Sequence, residues 1–117
     1  MNTVPAFIGG EWREMSDRIT GPVFNPSRGE VIAEVPMCTK EDVDVAVQAA
    51  ADAFPMWRDT PPVERARVFF RYRQLIEENF DHICQSVTRE HGKTLAEARG
   101  SIYRGIENVE FACTRLP

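Results

Sequence analysis

Thr94-Leu95-Ala96-Glu97-Ala98-Arg99-Gly100-Ser101-Ile102-Tyr103-Arg104-Gly105-Ile106-Glu107-Asn108-Val109-Glu110-Phe111-Ala112-Cys113 opens with a hydroxyl three residues ahead of a carboxylate, the spacing of a capping box. It predicts a helix running to about Arg115. Leu95, Ala98, Ile102, Ile106, Val109, Cys113 and Leu116 recur at three- and four-residue steps and form a single apolar stripe. The opposite face carries Glu97, Gly100, Arg104, Asn108 and Phe111, with Arg104, Asn108 and Phe111 stacked one above another. Gly100, one turn before Arg104, and Gly105 beside it leave room for a small anion. Two readings of Arg104 stand side by side. It is either a solvated arginine on a polar face or a carboxylate clamp, because guanidinium presents planar, paired donors and stays charged at every relevant pH.

Outward from this helix, Asp81 to His91 reads as a helix with Asp81 as N-cap, closed by Gly92 at the position that favours a left-handed backbone. Before it, Thr60-Pro61-Pro62 starts a helix to about Asn79, since proline costs nothing where the first N–H groups are unpaired. In that helix Val63, Ala66, Phe69, Phe70, Tyr72, Leu75 and Ile76, with Phe80 just beyond, cover well over half the circumference. A helix so apolar needs partners on more than one side, which points to a piece of a larger fold. Thr39-Lys40-Glu41-Asp42 caps an alanine-rich helix, with Pro55-Met56-Trp57 marking its end. Further upstream, Phe7-Ile8 and Glu11-Trp12-Arg13 flank Gly9-Gly10, a hairpin signal. Asn25-Pro26-Ser27-Arg28-Gly29 is a turn, followed by a third short strand in which Val31, Ala33 and Val35 alternate with Ile32 and Glu34 up to Pro36. The expected order is short strands over about residues 6–36 and four helices over about 40–115.

The 117 residues suffice for about one domain, and 43% apolar with 27% charged residues is an ordinary globular composition. No apolar stretch approaches the roughly 20 residues that cross a bilayer. A formal charge of −4 speaks against nucleic acid, whose phosphates demand clustered Lys and Arg. Cys38, Cys84 and Cys113 are odd in number and far apart, so neither disulfides nor a zinc site is expected and a reducing, cytoplasmic compartment is.

Reactive constellations are mostly missing. The chain has no G-x-G-x-x-G, G-x-S-x-G or H-E-x-x-H, and Gly100 to Gly105 lacks the Lys and Ser/Thr of a phosphate loop. His82 and His91 fall on opposite helical faces and suit surface or capping roles. Cys84 and Cys113 read as core; Cys38 precedes a helix start without a base nearby. Arg65, Arg67, Arg71 and Arg73 scatter around their helix and suit solvated or ion-paired roles.

Phe7-Ile8-Gly9-Gly10-Glu11-Trp12 and Phe24-Asn25-Pro26-Ser27-Arg28-Gly29-Glu30-Val31-Ile32-Ala33-Glu34-Val35-Pro36 resemble the N-terminal region of the aldehyde dehydrogenase superfamily. Glu90-His91-Gly92-Lys93-Thr94-Leu95-Ala96-Glu97-Ala98 and Tyr103 to Ala112 look like its CoA-acylating branch, the methylmalonate-semialdehyde dehydrogenases. The likeness covers about residues 6–114 and is most specific over Arg104-Gly105-Ile106-Glu107-Asn108-Val109-Glu110-Phe111-Ala112. It implies an α/β parent of the aldehyde dehydrogenase type, with this chain as the N-terminal part of the cofactor-binding domain. The implied reaction oxidises methylmalonate or malonate semialdehyde with NAD and CoA to propanoyl-CoA or acetyl-CoA, releasing carbon dioxide, through a cysteine nucleophile. The branch's substrate-carboxylate arginine falls on Arg104. No cysteine here matches the nucleophile's motif, and the family's cofactor-binding elements, nucleophile and general base lie beyond position 117. The resemblance therefore implies a segment inert alone, partnered by the remainder of a dehydrogenase that forms a homo-oligomer. The competing expectation is a free-standing helical interaction module docking through the apolar sides of its second and fourth helices.

Overall fold

A computed structural model describes residues 3–114, and the chain divides into two units, Met1–Arg58 and Asp59–Pro117. In the first, β1 (Ala6–Ile8) and β2 (Glu11–Arg13) form the expected hairpin, with Ile8 opposite Glu11. Gly9 and Gly10 sit at φ 65° and 84°, left-handed values that a side chain would strain. Phe7 and Trp12 face each other across the strands with ring centroids 4.9 Å apart.

A strand that the sequence reading passed over, β3 (Thr20–Asn25), pairs antiparallel with β4 (Glu30–Pro36). Gly21 and Pro22 hide it from propensity. Within the two-stranded sheet β3, however, is an edge strand, where a missing N–H is tolerated. The turn between them is as expected: Ser27 N–H donates to Asn25 Oδ1 at 3.0 Å, and Gly29 N–H to the Asn25 carbonyl at 2.8 Å. The predicted alternation in β4 is broken by a bulge. Val23 pairs with Ala33 but Phe24 with Val31, leaving Ile32 as the extra residue.

The next element, α1 (Lys40–Asp59), runs through Pro55, a correction to the expected stop. Proline removes one backbone bond to the preceding turn. Phe54 and Arg58, one turn apart, bracket it, with the guanidinium carbon 6.0 Å from the ring centre. At the other end Thr39 and Asp42 form a reciprocal cap: Thr39 N–H donates to Asp42 Oδ2 at 2.8 Å, and Asp42 N–H to Thr39 Oγ1 at 3.4 Å. Asp42 also receives Arg18 through both carboxylate oxygens, at 2.8 and 2.9 Å, tying the β2–β3 connection to the helix start.

The second unit is helical: α2 (Pro62–Glu78), α3 (Phe80–His91) and α4 (Leu95–Thr114). Pro62 opens α2 as expected. Asn79 both ends α2, donating to the Leu75 carbonyl from its backbone and side chain, and caps α3. Asp81, expected as the cap, instead lies in the first turn of α3 and pairs with Arg99 at 2.6 Å. Both α2 and α3 pack on α4. Cys84 and Ala98 are fully buried and Ile106 nearly so, placing the middle of the predicted α4 stripe inward, while Ile102, Val109 and Cys113 are half-buried and Leu95, expected in the stripe, is exposed because it stands at the helix start. The predicted helix end at Arg115 and the stripe residue Leu116 lie outside the described residues. No residue of α2 is buried, and Val63, Phe70, Tyr72 and Leu75 are each more than half exposed.

The Arg18–Asp42 pair sets a pH prediction. The Arg18 hydrogen bonds, then the Thr39 N–H, hold the Asp42 carboxyl well below its usual range, while Arg18 stays charged throughout. Because the folded value is depressed, the stabilisation is present above the unfolded pKa of about 3.9 and fades as pH falls below it. Asp42→Asn is expected to lower the thermal midpoint at pH 7 and to converge with the parent toward pH 2.5. Parallel curves across that range would show that the pair contributes nothing.

Candidate functional site

Gly92, at φ 83°, ends α3 by accepting the left-handed turn that a side chain resists, and its N–H donates to the Thr88 carbonyl at 2.9 Å. The chain then reverses through Lys93 into Thr94, the cap of α4. Glu97 Oε2 accepts from Thr94 N–H at 3.0 Å and from Thr94 Oγ1 at 2.9 Å, and Glu97 N–H donates back to Thr94 Oγ1 at 3.2 Å. The predicted capping box is therefore present. Thr94's backbone N–H, then its hydroxyl, with smaller help from the charges of Lys93 and His91, hold the Glu97 carboxyl below the usual range.

One turn further, the Ser101 hydroxyl donates to the Glu97 carbonyl at 3.2 Å. It accepts from Lys93 Nζ at 3.0 Å and from Arg104 Nη2 at 3.3 Å. Its single donor and both lone pairs are thus engaged, two of the three partners being cations. Arg104 is exposed, and Lys93 is half-buried. Arg104 folds back along α4, as long helical side chains do, so that Nη1 lies 3.8 Å from where a Cβ on Gly100 would sit. The room expected at Gly100 is taken up by the guanidinium itself, whereas nothing lies within 4 Å of where a Cβ on Gly105 would sit.

Arg104, like Arg71 and Arg89, has no carboxylate partner among the described residues, whereas three other arginines of the unit do. Arg73 binds Glu110 at 2.6 Å and Glu77 at 2.8 Å, Arg99 binds Asp81, and Arg67 binds Glu64. Arg104 has Ser101 Oγ as its polar partner among the described residues. Asn108 and Phe111 share its exposed face. Arg104 is the residue singled out from the sequence; Lys93 and Ser101, which the structure brings beside it, are not. A lysine between a helix-ending glycine and the next helix's cap, with a hydroxyl two turns on, was the available signal.

The remaining reactive groups stay apart. Cys38 is exposed and Cys84 fully buried. His82 and His91 are both exposed, and no metal-ligand cluster occurs among the described residues. No helix among them is long and apolar enough to cross a membrane.

Replacing Thr94 by Ala is expected to destabilise the α4 start by about 1 kcal/mol, the usual magnitude for a lost cap. It should also raise the Glu97 carboxyl toward its ordinary pKa, read by NMR titration of the side-chain carbon. Because alanine keeps the backbone N–H, the rise is partial, and an unmoved titration would mean that the Thr94 hydroxyl does not hold Glu97.

Comparison with known proteins bears on this geometry. The sequence model of the aldehyde dehydrogenase family matches residues 12–117. The chain is 50% identical over 106 residues to a malonate-semialdehyde dehydrogenase of Bacillus pumilus, covering 91% of this chain and 22% of that protein. It is 47% identical over 113 residues to one from Pseudomonas aeruginosa, covering 97% and 22%. Among solved structures, a protein provisionally named methylmalonate-semialdehyde dehydrogenase from Sinorhizobium meliloti, complexed with NAD, superposes with a TM-score of 0.89. That match is 38% identical and covers 97% of this chain and 23% of the other. Lactaldehyde dehydrogenase from Escherichia coli shares the fold, with a TM-score of 0.93 at 24% identity over 97% of this chain and 24% of that one. The chain spans under a quarter of the length of these relatives. Strand hairpins, helix caps and sequence agree with one another, and the chain belongs to the aldehyde dehydrogenase family.

Proposed function

We propose that these 117 residues serve as the N-terminal part of the cofactor-binding domain of a CoA-acylating malonate- or methylmalonate-semialdehyde dehydrogenase, cytoplasmic and homo-oligomeric, in which Arg104 binds the substrate carboxylate. The observation that carries this reading is the Arg104 guanidinium. It is exposed on α4, packed over Gly100 and paired with no carboxylate among the described residues. Relatives named malonate-semialdehyde dehydrogenase at 47–50% identity support the same substrate class. Such a substrate carries a permanent negative charge beside its aldehyde. A guanidinium meeting that charge with two N–H donors orients the aldehyde carbon and selects against uncharged aldehydes.

NAD would supply the hydride acceptor and CoA the acyl acceptor, with the substrate carboxylate leaving as carbon dioxide on the way to propanoyl-CoA or acetyl-CoA. The described residues do not fit either group, having neither a glycine-rich strand-to-helix cradle nor a cysteine placed beside a base. Those tasks fall to the remainder of the chain. This segment's own part is to bind and orient.

The free-standing module is the weaker reading, because both it and the enzyme segment account for the exposed apolar sides of α2, but only the enzyme accounts for the family match. In the full-length enzyme, Arg104→Leu is expected to raise KM for malonate semialdehyde about ten- to a hundredfold, the span of charge-assisted hydrogen bonds. Steady-state kinetics with unchanged KM for that substrate would remove Arg104 from the site.

A further inference from the structure

Lys93 and Arg104 approach one another through a single oxygen. Lys93 Nζ and Arg104 Nη2 lie 3.0 and 3.3 Å from Ser101 Oγ, which is oriented by its own donation to the Glu97 carbonyl. Two like charges this close repel, and water alone does not explain a geometry that brings them together. Glu97, whose carboxylate is held by the Thr94 cap, offsets one charge. The cluster keeps a net positive charge with donors to spare, since the ammonium has three N–H groups and the guanidinium five. An anion placed against Arg104 relieves the repulsion, and the half-buried Lys93 ammonium strengthens that attraction.

We infer that Lys93 is a positioning residue for carboxylate recognition: through the shared Ser101 hydroxyl it fixes the Arg104 guanidinium, and it adds a second positive charge behind it. This rests on the reading of Arg104 as the carboxylate ligand. Lys93 is aimed by the left-handed Gly92, Ser101 is oriented by the α4 backbone, and Arg104 closes the trio from one turn beyond. The consequence is selectivity for an anionic aldehyde over a neutral one, with little demand on the chemical step.

The test compares malonate semialdehyde with propanal in the full-length dehydrogenase carrying this segment. Lys93→Met is expected to lower the ratio of kcat/KM for the two aldehydes about tenfold, through KM for the charged substrate more than through kcat. Lys93→Gln, which keeps a donor without the charge and preserves packing should Lys93→Met fold poorly, is expected to lower the ratio as well. Lys93→Arg is expected to restore most of it, and Ser101→Ala to give an intermediate loss. If Arg104→Leu lowers the ratio while Lys93→Gln and Lys93→Met leave it at the parent value, the inference is overturned and the Arg104 reading survives. If Arg104→Leu leaves the ratio unchanged, the reading beneath it fails as well.

Discussion

The constraint on which the helical unit depends is the burial of one face of α4. Cys84 on α3 and Ala98 on α4 are fully buried, and both are small, which lets packed helices approach closely. Ile106 completes the inward stripe two turns on from Ala98. With 100° between successive residues, committing Ala98, Ile102 and Ile106 to the interior leaves Arg104 and Asn108 no alternative but the outer face. Burial thus decides where the cation stands before any ligand is considered.

Polar contacts then refine what burial leaves open. An exposed arginine samples many rotamers, and a lone one is a poor recognition element because ordering it on binding is costly. Here the Ser101 hydroxyl, itself tethered to the helix carbonyl ladder, gives Arg104 a fixed neighbour. The same hydroxyl draws in Lys93 from the α3–α4 connection. Two other arginines of the unit answer a different need. Arg73 joins α2 to α4 through Glu110, and Arg99 joins α4 to α3 through Asp81 and lies 5.8 Å over the Phe80 ring. Those two hold helices together, whereas Arg104 faces outward with no carboxylate partner among the described residues.

Each unit keeps much apolar surface in the open. In the first unit α1 has no buried residue, and Phe7, Trp12, Phe54 and Met56 are all more than half exposed. In the second unit α2 is in the same position. Large apolar side chains left this exposed are common where a chain meets further protein. The chain's relatives, more than four times its length, have that further protein to offer.

Sequence alone determined those features that rest on local backbone physics. The Gly9-Gly10 hairpin, the Gly92 stop, the Thr39 and Thr94 caps and the α4 stripe each follow from a residue's own φ preference, a hydroxyl's reach or a helical period. The placement of Arg104 over Gly100 was legible for the same reason, since helical spacing alone sets both on one face. Tertiary structure decided the rest. β3 exists despite Gly21 and Pro22 because β4 lies beside it, and the Ile32 bulge depends on a register that neither strand encodes alone. Asp81 serves Arg99 instead of capping α3 because another helix brings the guanidinium within reach. Lys93 meets Arg104 only because the chain doubles back at Gly92 and α4 presents Ser101 between them. A contact between residues eleven positions apart needs a folded path to bring the two together, and no local propensity contains that path.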